Sequence, residues 1–158
     1  MAVVRRVLLA ALTAAPGVAV ASEEAVLEVD GAIAPPTPRR LTLSQVDAIG
    51  RVDLVTHTPW TIGPQNFAGL PMVRLLEAVG ARGETLRAAA LNDYAVSMPI
   101  AEIVAADAFL ATHQDGTPIP VRLRGPFWII FPWSQRPDLG DAIYRRRSVW
   151  QLQRIDIG

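Results

Sequence analysis

The stretch that most constrains the fold is the uninterrupted apolar run Phe127–Phe131, which follows Gly125-Pro126. A strand in which every residue is apolar is typical of a sheet that is covered on both faces. Elsewhere the patterns are amphipathic: Arg51–His57 alternates like a half-exposed strand, and Pro71 opens a predicted helix, MVRLLEAVGA. The chain therefore has to bury one strand completely and cover it with the half-apolar faces of other elements.

Shorter patterns fill the rest of the chain. The further predicted strands are Ala25–Val29, Leu86–Asn92, Tyr94–Pro99, Ala108–Thr112 and Val149–Ile157. The further predicted helices are 44–49, with Ser44 as its N-cap, and Ala101–Ala106, while the helix after Pro71 carries an apolar stripe of Val73, Leu75, Leu76 and Val79. Asp115-Gly116 predicts a tight turn. Strands interleaved with two or three short helices predict a mixed-sheet α+β fold in a single domain.

The first residues have the pattern of a secretory signal peptide. Arg5 and Arg6 form a basic start, Val7–Ala15 is apolar, and Ala19-Val20-Ala21 is an A-x-A cleavage site. The apolar run is about half the ~20 residues that a membrane-spanning helix needs. We therefore expect residues 1–21 to be a cleaved signal peptide. Residues 22–158 would then form the mature periplasmic domain, with no membrane insertion after cleavage.

Composition excludes several classes of chemistry. The chain has no cysteine, which rules out disulfides, thiolate catalysis and cysteine-ligated metals. The two histidines, His57 and His113, do not have the spacing of a metal site. Without Arg5 and Arg6, 13 of the 15 basic residues remain against 15 acidic ones, a balance that disfavours nucleic acid as a partner. We predict neither a metal site nor catalytic residues, and note that arginines are concentrated after Asp115.

Four stretches, taken in order, carry a resemblance to a known family. They are THTPW (56–60), FAGLPMVRLLEAVGA (67–81), LNDYAVSMP (91–99) and DGTPIPVRLRGPFWIIFPW (115–133). Their order and spacing resemble the molybdopterin-binding domain of the sulfite oxidase family, particularly its small periplasmic branch related to the catalytic subunit of methionine-sulfoxide reductase. The closing RRRSVWQLQRIDI fits too, so the resemblance spans 25–157. It implies a sulfite-oxidase-type fold, with a mixed sheet in one α+β domain.

The chain departs from this family at the metal. In the enzymes that it resembles, a cysteine just before a tryptophan of the first loop ligates molybdenum, and alignment on Trp60 places Thr56 at or near that position. A threonine hydroxyl stays protonated and is a far poorer ligand than a thiolate. The resemblance therefore implies a pocket for an organic pterin. Molybdopterin with a metal bound to the protein is the less favoured ligand.

A pterin is a flat bicycle with N–H donors and carbonyl acceptors along one edge, so its site needs aromatic surfaces and a few oriented polar groups. Trp60 is expected to stack, Asp93 to accept two hydrogen bonds from the N–H edge, and Arg147 to contact an anionic tail. The full set of candidate ligand-binding residues in the matching motifs is Thr56, His57, Trp60, Asn92, Asp93, Tyr94, Trp128 and Arg147.

Simpler interpretations exist for some of these residues. Trp128 lies in the apolar strand, where a core role is the favoured interpretation. Asn92-Asp93 at a strand break is a common turn sequence. The run Arg145–Arg147 is also typical of a solvated run of charges.

The resemblance leads to three functional hypotheses. The first is a non-catalytic periplasmic pterin-binding or pterin-sensing protein that engages the periplasmic domain of a membrane sensor, such as a regulator of cyclic di-GMP. The second is an oxidoreductase that retains molybdopterin, with Thr56 or solvent in place of the cysteine ligand. The third is a structural or interaction module in which side chains such as Phe127 and Trp128 fill the former pocket.

Overall fold

Two five-stranded β-sheets form the framework of the structure, a computed structural model that describes residues 24–140 and 142–158. The strands in chain order are β1 (Val26–Gly31), β2 (Arg39–Thr42), β3 (Val52–Thr56), β4 (Gln65–Pro71), β5 (Thr85–Ala90), β6 (Ala95–Pro99), β7 (Phe109–Gln114), β8 (Thr117–Pro118), β9 (Trp128–Ile130) and β10 (Leu152–Ile157). The α-helices are α1 (Leu43–Gly50), α2 (Met72–Ala78), α3 (Ile100–Ala105) and α4 (Ala142–Arg147). The predicted signal peptide lies outside the described residues.

The first sheet has the strand order β2-β1-β10-β5-β6. Its β1 and β10 run parallel, with Glu28 opposite Arg154, whereas its other pairs are antiparallel. The second sheet has the order β3-β4-β7-β8, with β9 also paired to β7, and is antiparallel throughout. The prediction of a mixed-sheet α+β domain is therefore confirmed. No helix among the described residues has the length and apolar character needed to span a membrane.

Buried side chains from both sheets and from α2 pack into one hydrophobic core. It includes Leu27, Leu86 and Ile155 from the first sheet, Phe67, Leu70 and Leu110 from the second, and Leu75 and Leu76 from α2. Each residue of β9 is 0% exposed, which confirms the prediction of a strand buried on both faces. Burying a large apolar side chain completely stabilises the fold by about 1.5–3 kcal/mol.

The helix boundaries differ in detail from the prediction. The N-cap of α1 is Thr42 and not Ser44, because Thr42 and Gln45 form a reciprocal capping box. In α2 the buried stripe is Met72, Leu75, Leu76 and Val79, while Val73 is 38% exposed. The predicted stripe was therefore wrong at Val73, since the true i, i+3, i+4, i+7 series begins one residue earlier.

The sequence patterns missed four strands and α-helices, and one of them, β8, has only two residues. Strand β4 has no alternation because its central residues, Phe67–Leu70, are all buried. A Cβ on Gly69 would lie 2.0 Å from the carbonyl oxygen of Leu110, so a glycine allows the close approach of β7 at a bulge between Ala68 and Gly69. Strand β2 is short and polar, and α4 consists largely of arginine, so neither has a clear apolar period.

A chain of polar contacts joins α1 to β7. Arg51 Nη1 lies 3.4 Å from His113 Nε2, His113 Nδ1 lies 2.8 Å from Thr112 Oγ1, and Thr112 Oγ1 donates to Asp47 Oδ1 at 2.7 Å. Since Arg51 can only donate, these contacts fit a neutral His113 that carries its proton on Nδ1. Burial, followed by the charge of Arg51, lowers the pKa of His113 from its ordinary value of 6.5, and Asp47 opposes this shift.

This lowered pKa predicts a loss of stability in mild acid. As the pH falls below about 6.5, the unfolded chain takes up a proton at His113 that the folded protein resists, so the free energy of unfolding decreases. His113→Asn should remove this part of the pH dependence. Urea unfolding of both proteins at several pH values between 7.5 and 5.5 measures how the free energy of unfolding changes with pH. The same pH dependence in the wild type and in His113→Asn would contradict the assignment to His113.

Candidate functional site

All four tryptophans of the chain meet in one cluster around Trp60. The ring centroid of Trp60 lies 5.9 Å from that of Trp128, 6.1 Å from that of Trp133 and 5.3 Å from that of Trp150. Tilted and edge-to-face contacts at such distances are favourable for aromatic rings. Trp128 and Trp133 are buried, whereas Trp60 and Trp150 are half-buried. Trp60 therefore packs on the core and keeps part of its surface open.

Threonine hydroxyls hold the loop that carries Trp60. The Trp60 backbone N–H donates to Thr58 Oγ1 at 3.2 Å, and the Thr58 N–H donates to Thr61 Oγ1 at 3.0 Å. The two hydroxyl oxygens lie 3.1 Å apart, and Thr58 is buried. Such local side-chain contacts compete with regular structure and favour a turn. They place Trp60 against the cluster although it lies outside any helix or strand.

A cavity of about 400 Å³ opens beside Trp60 and Trp150. Small-molecule sites usually enclose roughly 300–1,000 Å³. The described residues that line it are Trp60, Ala90, Asn92, Tyr94, Arg145, Arg146, Ser148, Val149 and Trp150. They come from the loop after β3, the turn between β5 and β6, and the segment from α4 towards β10. Three separate parts of the chain therefore converge on one cavity.

Arginines give this cavity a positive side. Arg145 and Arg146 lie in the last turn of α4, are exposed, and form no ion pair with the described residues. The guanidinium carbon of Arg124 lies 5.3 Å from the Trp128 ring and 5.8 Å from the Trp150 ring, within cation–π range. Aromatic surfaces beside unpaired guanidinium groups suit a flat heterocycle that carries carbonyl oxygens or an anionic tail.

The turn Asn92-Asp93-Tyr94 forms another wall. Asn92 Oδ1 accepts a hydrogen bond from the Tyr94 backbone N–H at 3.2 Å, and the Tyr94 hydroxyl donates to the Arg146 carbonyl oxygen at 2.8 Å. The amide NH₂ of Asn92 forms no hydrogen bond with the described residues, so it can donate to a ligand. Asp93 takes a φ of 65° and is exposed, and it is not among the lining residues.

Thr56 and His57 are held in a separate set of contacts. Thr56 is 0% exposed, and its hydroxyl donates to the His57 carbonyl oxygen at 3.0 Å and accepts from the Ser134 N–H at 2.9 Å. Ser134 Oγ in turn lies 2.8 Å from His57 Nδ1 and accepts from the His57 N–H at 2.9 Å. These bonds connect the loop after β3 to the loop after β9. Neither Thr56 nor His57 is a lining residue.

Arg147 is also engaged away from the cavity. It is 6% exposed, its Nη2 donates to Glu102 Oε2 at 2.6 Å, and its guanidinium carbon lies 5.7 Å from the Tyr144 ring. Its Nη1 and Trp128 Nε1 are buried and form no hydrogen bond with the described residues. The contact with Glu102 ties α4 to α3, and so fixes the helix that presents Arg145 and Arg146.

The sequence prediction and the cavity overlap in part. Trp60, Asn92 and Tyr94 line it, and Trp128 supports Trp60 from below. Sequence reasoning did not name Trp150, Arg145 or Arg146 as candidates. Their position in the RRRSVWQLQRIDI segment, which matched the family pattern, was the available indication. Within 24–140 and 142–158, no group of three or more His, Cys, Asp or Glu residues is arranged to hold a metal ion.

Comparison with known proteins identifies the family. The chain resembles the sulfane dehydrogenase SoxCD from Paracoccus pantotrophus, with 19% sequence identity and a TM-score of 0.63. The alignment covers 84% of this chain and 38% of that chain, and at this identity the likeness shows the fold alone. A search of curated proteins found no significant match. The family model of the oxidoreductase molybdopterin binding domain matches residues 19–135. The chain therefore belongs to the oxidoreductase molybdopterin binding domain family.

Proposed function

We propose that this chain is a non-catalytic periplasmic pterin-binding protein. Its ligand-bound form would engage the periplasmic domain of a membrane sensor, such as a regulator of cyclic di-GMP. The observation that carries the proposal is the cavity between Trp60, Trp150 and the arginines of α4, in a chain that has no cysteine. The signal-peptide pattern of residues 1–21 supports export to the periplasm.

The residues present fit the organic part of the family's cofactor better than its metal. The cavity supplies aromatic walls, and it supplies the Asn92 amide donor and the Arg145 and Arg146 guanidinium groups, which have no partner among the described residues; all of these can serve a pterin. A molybdenum–thiolate bond has no donor in this chain. Thr56 does not replace it, because its hydroxyl already donates one hydrogen bond and accepts another.

The family assignment favours a second candidate, a molybdopterin-dependent oxidoreductase whose metal is held by the cofactor's own sulfur atoms. When bound, that cofactor would supply oxygen-atom transfer. In this case Arg145 and Arg146 would bind its anionic end and Trp60 its ring. The third hypothesis, a module with a filled pocket, is disfavoured because a cavity of about 400 Å³ remains beside Trp60 although Trp128 and Phe127 are buried beneath the site.

Metal and pterin contents of the native protein distinguish the candidates. Protein purified gently from the periplasm should release a fluorescent pterin and contain molybdenum well below one atom per chain, because no thiolate holds the metal. Extract fluorescence and elemental mass spectrometry measure both quantities. Near-stoichiometric molybdenum would overturn the proposal in favour of the oxidoreductase, and the absence of both would favour a structural module.

Trp60→Ala should weaken the binding of all flat heterocycles alike. The loss of stacking removes about 0.5–1.5 kcal/mol beyond the buried area, so the total effect is roughly tenfold in Kd. Calorimetric titration with tetrahydrobiopterin, biopterin and flavin mononucleotide measures the effect. Trp60→Phe keeps an aromatic face and should lose less affinity. Unchanged binding by folded Trp60→Ala would remove Trp60 from the site.

Asn92→Asp should weaken pterin binding without disturbing the turn. The carboxylate can still accept the Tyr94 N–H, but the donor facing the cavity becomes an acceptor. Leaving ligand groups unpaired costs about 1–3 kcal/mol, or roughly tenfold to a hundredfold in affinity.

The same titrations test the sequence prediction for Asp93. Asp93→Asn should weaken the binding of both pterins more than that of flavin mononucleotide, which lacks their run of N–H donors. Normal binding by either variant would refute the role of that residue.

A further inference from the structure

Four arginines in the last third of the chain have no carboxylate partner among the described residues. They are Arg122, Arg124, Arg145 and Arg146. Other arginines in the same third of the chain are paired: Arg136 with Asp107 and Asp138, and Arg147 with Glu102. Elsewhere in 24–140 and 142–158, Arg39 and Arg74 donate only to backbone carbonyl oxygens and Arg82 forms no ion pair, so arginines without a carboxylate partner are more numerous in this third of the chain but are not confined to it.

Large apolar side chains are exposed near these four arginines. Leu91 is 46% exposed, Tyr94 44%, Val121 49% and Leu123 50%. Scattered single apolar residues on a surface are ordinary, whereas a group of them next to a ligand cavity is typical of a binding surface.

Gln151 connects these residues into one surface. Its carbonyl oxygen accepts from the Leu91 N–H at 2.9 Å, its N–H donates to the Arg124 carbonyl oxygen at 2.9 Å, and its side chain donates to the Val121 carbonyl oxygen at 2.9 Å. The turns 91–94 and 121–124 thus lie on either side of the residue that follows Trp150. We call this surface the basic face, and it consists of Leu91, Tyr94, Val121, Arg122, Leu123, Arg124, Arg145 and Arg146.

We propose that the basic face binds an acidic surface of a partner protein beside the mouth of the cavity. The identity of that partner as a periplasmic sensor domain rests on the proposed function. Arginine and aromatic residues are enriched in protein interfaces, and unpaired guanidinium groups attract and orient a partner of opposite charge. Tyr94, Arg145 and Arg146 belong both to the cavity lining and to the basic face. A ligand in the cavity therefore contacts residues that also meet the partner.

Site-specific photo-crosslinking of the full chain in its own host cells tests this proposal. A benzoyl-phenylalanine replaces Leu123 on the basic face, and in a matched control it replaces Val73, which is 38% exposed on α2. The Leu123 position should form an adduct with another protein. The crosslinked peptide, identified by mass spectrometry, should contain more acidic than basic residues, and the Val73 position should not yield this adduct.

Charge reversal provides a second matched pair. Arg122→Glu should lower the adduct yield at Leu123 about tenfold, because like charges then face each other across the interface. Arg82→Glu makes the same change at an exposed arginine that also lacks an ion partner among the described residues, in the loop before β5. It should leave the yield unchanged. The circular dichroism of both purified variants verifies that they are folded.

Several results would overturn the proposal: no adduct at Leu123, an adduct with a second copy of this chain or with phospholipid, equal yields at Leu123 and Val73, or equal effects of the two charge reversals.

Calorimetry with tetrahydrobiopterin separates this proposal from the pterin function. Arg122 does not line the cavity, so Arg122→Glu should bind as the wild type does. If the wild type binds no pterin but the crosslink meets its conditions, the interface stands and the pterin function fails. If the wild type binds the pterin but the crosslink fails, only the interface is refuted.

Discussion

The packing of Trp60 on Trp128 joins the core of the protein to its candidate site. Trp128 is fully buried in β9 and also contacts Phe67 of β4, with their ring centroids 5.6 Å apart. Because a close-packed interior leaves such a ring little freedom, it offers a rigid platform to the loop above it. Trp60 adds the next layer, and Trp150 meets it edge to face. The buried strand β9 therefore positions Trp60, which lines the cavity, through Trp128.

Around this platform, hydrogen bonds and one ion pair place the walls. Thr56 and Ser134 bind the loops after β3 and β9 to each other, at the position where the resemblance would put a metal ligand. A buried hydroxyl that both donates and accepts a hydrogen bond avoids the cost of an unsatisfied buried polar group. Arg147 fixes α4 through Glu102 and leaves the two preceding arginines facing outward. Thr56 and Arg147 thus position the walls of the cavity without lining it.

Much of this was accessible from residues alone. The apolar run 127–131, the Asp115-Gly116 pair and the alternation of Arg51–His57 predicted β9, the tight turn after β7, and β3, because each reflects a local preference or a simple burial period. The missed elements β2, β4, β8 and α4 have no such period. Strand β4 is buried at consecutive positions, and the arginine run of α4 is held at its C-terminal end by Tyr94 and Glu102, residues from elsewhere in the chain.

The sequence by itself determined the fold class, the family and the absence of a thiolate, since these follow from motif order and composition. It also identified Trp60, Asn92 and Tyr94, which lie in the matching motifs. Only the tertiary structure decided that Trp150, Arg145 and Arg146 complete the cavity, and that Thr56 and Arg147 are engaged in other contacts. It also decided that the basic face contains four arginines with no carboxylate partner among the described residues. The physical reason is that the contacts of a side chain depend on which segments, distant in sequence, the sheets bring together. A local sequence pattern does not contain that information.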